Sequence, residues 1–249
     1  MQNQSPPLSN PLPAIALSPT QWLAKSGIII CVITIAVLLG VSGLVGGAIA
    51  PAQAENMIHL QQVLRSEVCP NCDLSYAQLR RSNLDYAYLS GAYLVGANLR
   101  QAHMTEGLFN DIWAIGTDFE QAVGDRIDFN AADLSGANLQ NSRFRDGNFH
   151  RATLIKAQLI NADLAGADFS NSDLRDSQLQ RANLNHGNLT QANLAFADLA
   201  GANLSQASLV GADLRSVNLQ GATLTDADLT QANLCGAIWT DGQETRQGC

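Results

Sequence analysis

"ANLAFADLAGANLSQASL", residues 192–209, places leucine at every fifth position, Leu194, Leu199, Leu204 and Leu209, with alanine two residues before each. An α-helix advances about 100° per residue, so a period of five turns successive leucines by roughly 140° and spreads them around the cylinder. A strand alternates faces residue by residue, so an odd period would send successive leucines to opposite sides of a sheet. Neither regular element accounts for the pattern. A chain that turns a corner once in every five residues does.

Followed outward, the register of the central position, i, runs from Leu74 to Trp239 without a slip and gives 34 units. Those positions hold 24 Leu and six Phe, with Met104, Ala114, Gly124 and Trp239 as the exceptions. Position i−2 is mostly alanine, with Ser82, Ser142, Ser172, Ser177, Gly107, Gly147, Gly187 and Cys72 among its substitutes. Outside residues 112–131 a small side chain is the rule there. Position i−1 is mainly Asn or Asp, types that bond to nearby backbone groups and stabilise turns. Each unit thus supplies two inward residues and a corner.

The pattern resembles the pentapeptide-repeat family, A-(D/N)-L-x-x, which "ADLAG" (162–166), "ANLAF" (192–196), "ANLSQ" (202–206) and "ADLRS" (212–216) match almost letter for letter. The resemblance covers about residues 72–241. It implies an all-β chain, a right-handed quadrilateral β-helix with four units per coil and with i and i−2 filling the interior. At 20 residues per coil and about 4.8 Å between coils, the repeat makes a filled rod of roughly 40 Å with no internal pocket. Each central Leu or Phe then contributes on the order of 2 kcal/mol of burial. Unpaired edges remain only at the two ends, which need caps.

Ahead of the repeat, Pro6, Pro7, Pro11, Pro13 and Pro19 mark residues 1–26 as a disordered leader. Lys25 precedes "GIIICVITIAVLLGVSGLVGGAIA", residues 27–50, an uncharged run long enough to span a bilayer as a helix. Residues 27–54 are read as a transmembrane or signal segment, since Ala52-Gln53-Ala54 before Glu55 has the small-x-small form of a signal-peptidase site. Retention as a single-pass anchor and cleavage after Ala54 both remain open, and both send residues 55–249 across the membrane. The leader lacks an arginine pair, which favours export of an unfolded chain by the general route. Overall the chain carries 14 basic and 22 acidic side chains, net −8, so a generic nucleic-acid binder is not expected.

Residues 55–71 are expected to form an N-terminal cap helix and a CPNC turn, with Met57, Leu60 and Leu64 inward and Ile58, Val63 and Val68 widening the apolar side. The polar tail 242–249 is expected to cover the last coil without extending it. Cys31 lies in the membrane segment, which leaves Cys69, Cys72, Cys235 and Cys249 on the exported side. An even number suits an oxidising compartment. Within the rod that the resemblance implies, the two pairs sit at opposite ends. Structural disulfides 69–72 and 235–249, reduced core or cap cysteines, and redox or metal chemistry at Cys69 and Cys72 are the readings weighed.

Chemistry is otherwise absent from the pattern. His59, His103, His150 and His186 show no ligand spacing and read as surface residues, and the Asp residues at i−1 alternate freely with Asn, which cannot ionise. No enzyme, cofactor or metal site is expected. The exceptions to the repeat gather in residues 112–131, where Ile112 with Ala114 exchanges large for small, Thr117 and Ile127 occupy i−2, and Ala122 with Gly124 leaves a volume deficit. Nearby, Tyr93 and Trp113 fall one above the other on one face, with Tyr88 on the preceding side and Asp111, Asp118, Glu120, Asp125 and Asp128 around them. An aromatic group with an acidic rim is a candidate protein contact.

The function expected is a non-enzymatic exported rod for protein interaction or assembly, with an unidentified protein partner and membrane association through residues 27–50. Two alternatives arise from other features: a DNA mimic that binds topoisomerases, as some family members do, and a thiol-disulfide oxidoreductase at Cys69 and Cys72. Export together with the resemblance points to the thylakoid lumen or periplasm of a cyanobacterium.

Overall fold

A computed structural model describes residues 51–245 and 249. The leader 1–26, the apolar run 27–50 with Cys31, and residues 246–248 of the tail lie outside the described residues. Among those described, no helix is long and apolar enough to cross a membrane.

The chain enters through α1, Pro51–Ser66, which starts ahead of Glu55. Glu67 then adopts φ 56° and donates its N–H to Val63 O at 3.0 Å, a left-handed cap that ends the helix. The inward stripe differs from the one expected on hydrophobic spacing. Val63 is fully buried and Leu60 packs against the core, while Met57, Ile58 and Leu64 are exposed. His59 lies on the inward side with Leu60 and Val63, its Nδ1 accepting the N–H of Asp73 at 3.1 Å.

From Val68 onward the chain winds as a four-sided coil. Each i−1 residue forms a parallel bridge with the residue 20 positions later, from Val68↔Tyr88 to Asn218↔Ile238. The bridges stack into four ladders, named here by their first members as the Val68, Asp73, Gln78 and Asn83 faces. The unit around Leu194 shows how the local chemistry is satisfied. Leu194 and Phe196 donate to Asp213 O (2.8 Å) and Arg215 O (3.0 Å) in the following coil, and Asn193 donates to Ser172 O (2.9 Å) in the preceding one. Ala197 N–H closes the corner on Leu194 O at 2.9 Å. The fifth N–H, at Ala195, is taken by the side chain of Asn193 at 3.2 Å. Thus an Asn or Asp at i−1, where a unit carries one, completes the backbone pairing of its five residues.

The corner requires positive φ at i+2, which every unit from Asn71 (57°) to Gly236 (73°) adopts. Only some of these residues are glycine, so most units bear a left-handed penalty of roughly 1 kcal/mol. Inter-coil hydrogen bonds and burial of two side chains per unit offset it.

Positions i and i−2 form one continuous core, buried from Cys69 through Leu219 apart from the half-buried Ala77 and Ser82. Buried serines at i−2 donate to the preceding corner, as in Ser142 Oγ to Leu139 O at 2.7 Å, and Thr117 Oγ1 donates to Leu94 O at 2.5 Å. The volume deficit expected at Gly124 is absent. A Cβ there would lie 2.8 Å from the ring of Phe144, one coil further on, so the aromatic side chain already occupies the space. Phe144 belongs to an axial row in which Phe119, Phe129 and Phe149 pack mostly edge to face, with centroids 5.3–6.4 Å apart.

At the far end the chain reverses. Ile238 pairs antiparallel with Glu244, and Thr245 donates to Ala237 O at 2.8 Å, so the tail covers one side of the last rung against the direction of the coil. Such a reversed strand cannot pass the repeat on to another chain.

Candidate protein-contact site

Outward i−1 residues are polar along most of the rod, and the spacing of the carboxylates explains why they tolerate one another. Parallel rungs about 4.8 Å apart would set like charges side by side. No two Asp residues are adjacent along any ladder. Asp118, Asp128, Asp163, Asp168 and Asp198 each accept a hydrogen bond from the asparagine one coil on, at 2.9–3.1 Å. Two of these and several other acids pair with cations: Arg100 binds Asp118 and Glu120, Arg145 binds Asp163, Arg143 binds Asp125, and Arg175 and Arg215 clasp Asp173 and Asp213. Burial raises the pKa of Asp163, but hydrogen bonds from Arg145 and Asn183 outweigh it and leave the carboxyl below the ordinary range. Asp213 is likewise held low, by Arg215 above all. These carboxylates are committed to the scaffold.

The first coils break the polar habit. Val68, Tyr88 and Leu108 succeed one another up the Val68 face, and Tyr93 and Trp113 up the neighbouring Asp73 face. The Tyr93 and Trp113 rings stack with centroids 6.4 Å apart and planes 13° from parallel, yet remain 47% and 49% exposed. Ile115, just past Trp113 at the corner, is also exposed. Beneath Tyr93 an open depression of about 390 Å³ is lined by His59, Asn71, Asp73 and Ser75.

The structure therefore brings Tyr93 and Trp113 into contact and sets Tyr88 on the adjoining face. The apolar surface is larger than the three aromatics, because Val68, Leu108 and Ile115 extend it. Those aliphatic residues stand at 20-residue offsets, or beside them, and were readable once the ladder register was fixed. The acidic rim is redistributed. Asp118 and Glu120 lie on and beyond the Gln78 face, tied to Arg100, and Asp125 is held by Arg143. Asp111 and Asp128 stay at the patch, joined by Asp133, the rung after Trp113.

The other singled-out residues fall elsewhere. Cys69 and Cys72 are joined across 5.5 Å between Cα atoms, at an i and an i−2 position of the core, and both residues are buried. Cys235 and Cys249 are joined at the opposite end, 4.8 Å between Cα atoms. His150 Nδ1 bonds Ser170 Oγ at 2.8 Å, while His103 is exposed on the Asn83 face and His186 at the corner that ends that face four coils on. Ala52 and Ala54 lie in the first turn of α1. Among the described residues no three His, Cys, Asp or Glu gather in a metal-ligand arrangement.

With the coil, its register and the patch defined, comparison with known proteins places the chain. The family described as Pentapeptide repeats matches over residues 71–111, 114–146, 132–171, 152–191 and 192–231, and this chain belongs to it. The four-sided coil is accordingly the right-handed quadrilateral β-helix. Among solved structures, HetL, a pentapeptide repeat protein involved in heterocyst differentiation regulation from the cyanobacterium Nostoc sp. strain PCC 7120, is 32% identical over 72% of this chain and 89% of its own, with a TM-score of 0.43. QnrB1, a plasmid-mediated fluoroquinolone resistance protein, is 16% identical over 73% of this chain and 89% of its own, with a TM-score of 0.51, and shares the fold. A pentapeptide repeat protein of the Arabidopsis thaliana thylakoid lumen is 36% identical over 39% of this chain and 67% of its own, with a TM-score of 0.38. Among curated protein sequences none matches.

Proposed function

We propose that this chain is a non-enzymatic rod, displayed on the far side of a membrane, that binds a protein partner through Tyr88, Tyr93 and Trp113. The observation that carries the reading is the half-exposed Tyr93–Trp113 stack, set among ladders whose other rungs are mostly polar. Aromatic side chains exposed together on a rigid sheet lose little conformational entropy on binding and anchor interfaces well. Export rests on the apolar run 27–50, with residues 55–249 either anchored or released after Ala54 into a lumen or periplasm. Cleavage after Ala54 would trim the first turn of α1 and spare His59, Leu60 and Val63. The paired cysteines accord with that compartment.

The DNA-mimic alternative draws on the fold shared with QnrB1. It is weakened by the arginines and amides that interrupt every acidic ladder. The oxidoreductase alternative needs an accessible sulfur, and Cys69 and Cys72 are buried.

Affinity recovery from membranes with the tagged full chain tests the contact. Tyr93→Ser with Trp113→Ser should keep the fold and abolish recovery of the partners that the wild type brings down, while Phe196→Ser, an exposed aromatic far along the rod, should recover them. The same partners in equal amounts from the double variant would remove the reading. Protease protection of the tagged chain in sealed membranes tests its side of display.

A further inference from the structure

We infer that the patch formed by Val68, Tyr88, Leu108, Tyr93, Trp113 and Ile115 receives a basic, leucine-type amphipathic segment of the partner protein. The inference rests on the contact reading above and adds the chemistry of what is bound. Its apolar part comes from two columns of outward side chains, three rungs on the Val68 face and two on the Asp73 face, with Ile115 at the far corner. Rungs about 4.8 Å apart make each column some 10 Å or less in height, the scale of two turns of helix or a short strand.

The charge comes from three carboxylates beyond and between the columns, with Asp73, the rung before Tyr93, as a fourth at the near end of its column. Asp128 is the rung beyond Leu108 and Asp133 the rung beyond Trp113, so each apolar column ends on an acid. Asp111 stands at the corner that separates the two columns. All three accept hydrogen bonds from neutral donors: Asp111 from Asn110, Asp128 from Asn130 N–H and Asn148, and Asp133 from Ser135. Arg126, at the far corner of the Val68 face, is engaged by Glu106. An occupant that places apolar side chains over the columns therefore meets acids at the margin. Lysine or arginine there gains charge complementarity, and glutamate or aspartate is repelled. A second copy of this surface would set the same acids against each other, so self-pairing through the patch is disfavoured.

The test uses the full chain in non-ionic detergent and three dye-labelled peptides, one of leucine and lysine at amphipathic helical spacing, one with glutamate for lysine, and one with serine for leucine. Fluorescence anisotropy should show saturable binding of the leucine–lysine peptide alone, weakening as salt is raised. Tyr93→Ser with Trp113→Ser should reduce affinity at least tenfold. Asp111→Asn with Asp128→Asn and Asp133→Asn, which keeps the side-chain oxygen that Asp128 and Asp133 supply to their turns, should reduce it several-fold, and Phe196→Ser should leave it unchanged. Equal binding of the glutamate peptide, or no effect of the three Asn substitutions, overturns the basic partner and leaves the aromatic contact standing. Unchanged affinity in the aromatic double variant overturns both. Absence of binding by any peptide overturns the inference, while membrane recovery still judges the contact itself.

Discussion

His59 Nδ1 lies 3.1 Å from the backbone nitrogen of Asp73, in the place where a carbonyl of an earlier coil would stand. From Tyr88 onward the N–H at i−1 donates to the i−2 residue one coil before, as Asn193 does to Ser172 O. The imidazole thus imitates a rung that does not exist, and because it accepts this bond its proton must sit on Nε2. His59→Leu should leave the Asp73 N–H without a partner at a cost of about 1–3 kcal/mol. Hydrogen exchange should quicken in the first coil and hold its wild-type rate near Leu194, because stability in a solenoid is shared mainly between neighbours. Uniform exchange changes along the rod would show that α1 is no local cap.

Gly124 and Phe144 fill one space from two coils. Gly124→Ala should overpack the axis and cost about 1–3 kcal/mol. Adding Phe144→Leu should recover part of that loss, a coupling that a double-mutant cycle in denaturant would measure. Gly116→Ala is the comparison: nothing lies within 4 Å of its would-be Cβ, and only the positive φ of 63° opposes it. Additive effects of the first two substitutions would contradict the shared space.

Residues 172–191 are one complete turn of the coil, so removing them should give a shorter, folded protein with every inward residue still inward. Removing three residues from the same stretch should not, because charged and apolar positions would exchange places downstream. Limited proteolysis of the two deletions decides; equal resistance would mean that register is less strict than the bridges indicate.

Leu194 is fully buried, and Leu194→Ala should cost on the order of 2–5 kcal/mol because paired neighbouring coils cannot close around the void. Ala192→Leu should be at least as harmful by overpacking, and Gln206→Leu, on the outside, nearly neutral. Denaturant midpoints that rank Gln206→Leu with Ala192→Leu would show a misplaced inward face.

Asp213 is kept below the ordinary carboxylate range by the Arg215 guanidinium, which donates to both of its oxygens. A lowered pKa in the folded state adds stability above the unfolded value of about 4, lost as pH falls through the folded pKa. Arg215→Ala should therefore be less stable than wild type at neutral pH by no more than about 1 kcal/mol, since the pair is exposed. The gap should close in strong acid. A constant gap from pH 7 to pH 2 would assign the effect to lost packing.

The coil was legible because Leu and Ala recur at most units in one unbroken register and the period admits few shapes. Once adjacent coils were known to be 20 residues apart, the meeting of Tyr93 and Trp113 could be read from their numbers alone. What sequence concealed were substitutions that compensate across coils. Gly124 looked like a void because its filler, Phe144, is itself an ordinary occupant of i. The cap helix was misread for a different reason. Hydrophobic spacing favoured Met57 and Leu64, but the coil beneath also needed a hydrogen-bond acceptor, and that turned His59 inward. The rim was misjudged because proximity in sequence says little about whether an acid such as Glu120 already has a cation.

The alternation of aspartate with amide on the ladders also sets a ceiling on linear charge density. An acid on no more than every second rung puts carboxylates along a ladder at least about 9.6 Å apart. Residues 72–241 carry 19 acidic and 11 basic side chains, and that net charge of −8 along a rod of roughly 40 Å amounts to about one charge per 5 Å, against one per about 1.7 Å in duplex DNA. At that density few counterions condense on the rod, and little is gained by releasing them. A partner should therefore be held through contacts at particular side chains, with a salt dependence set by a few neighbouring acids.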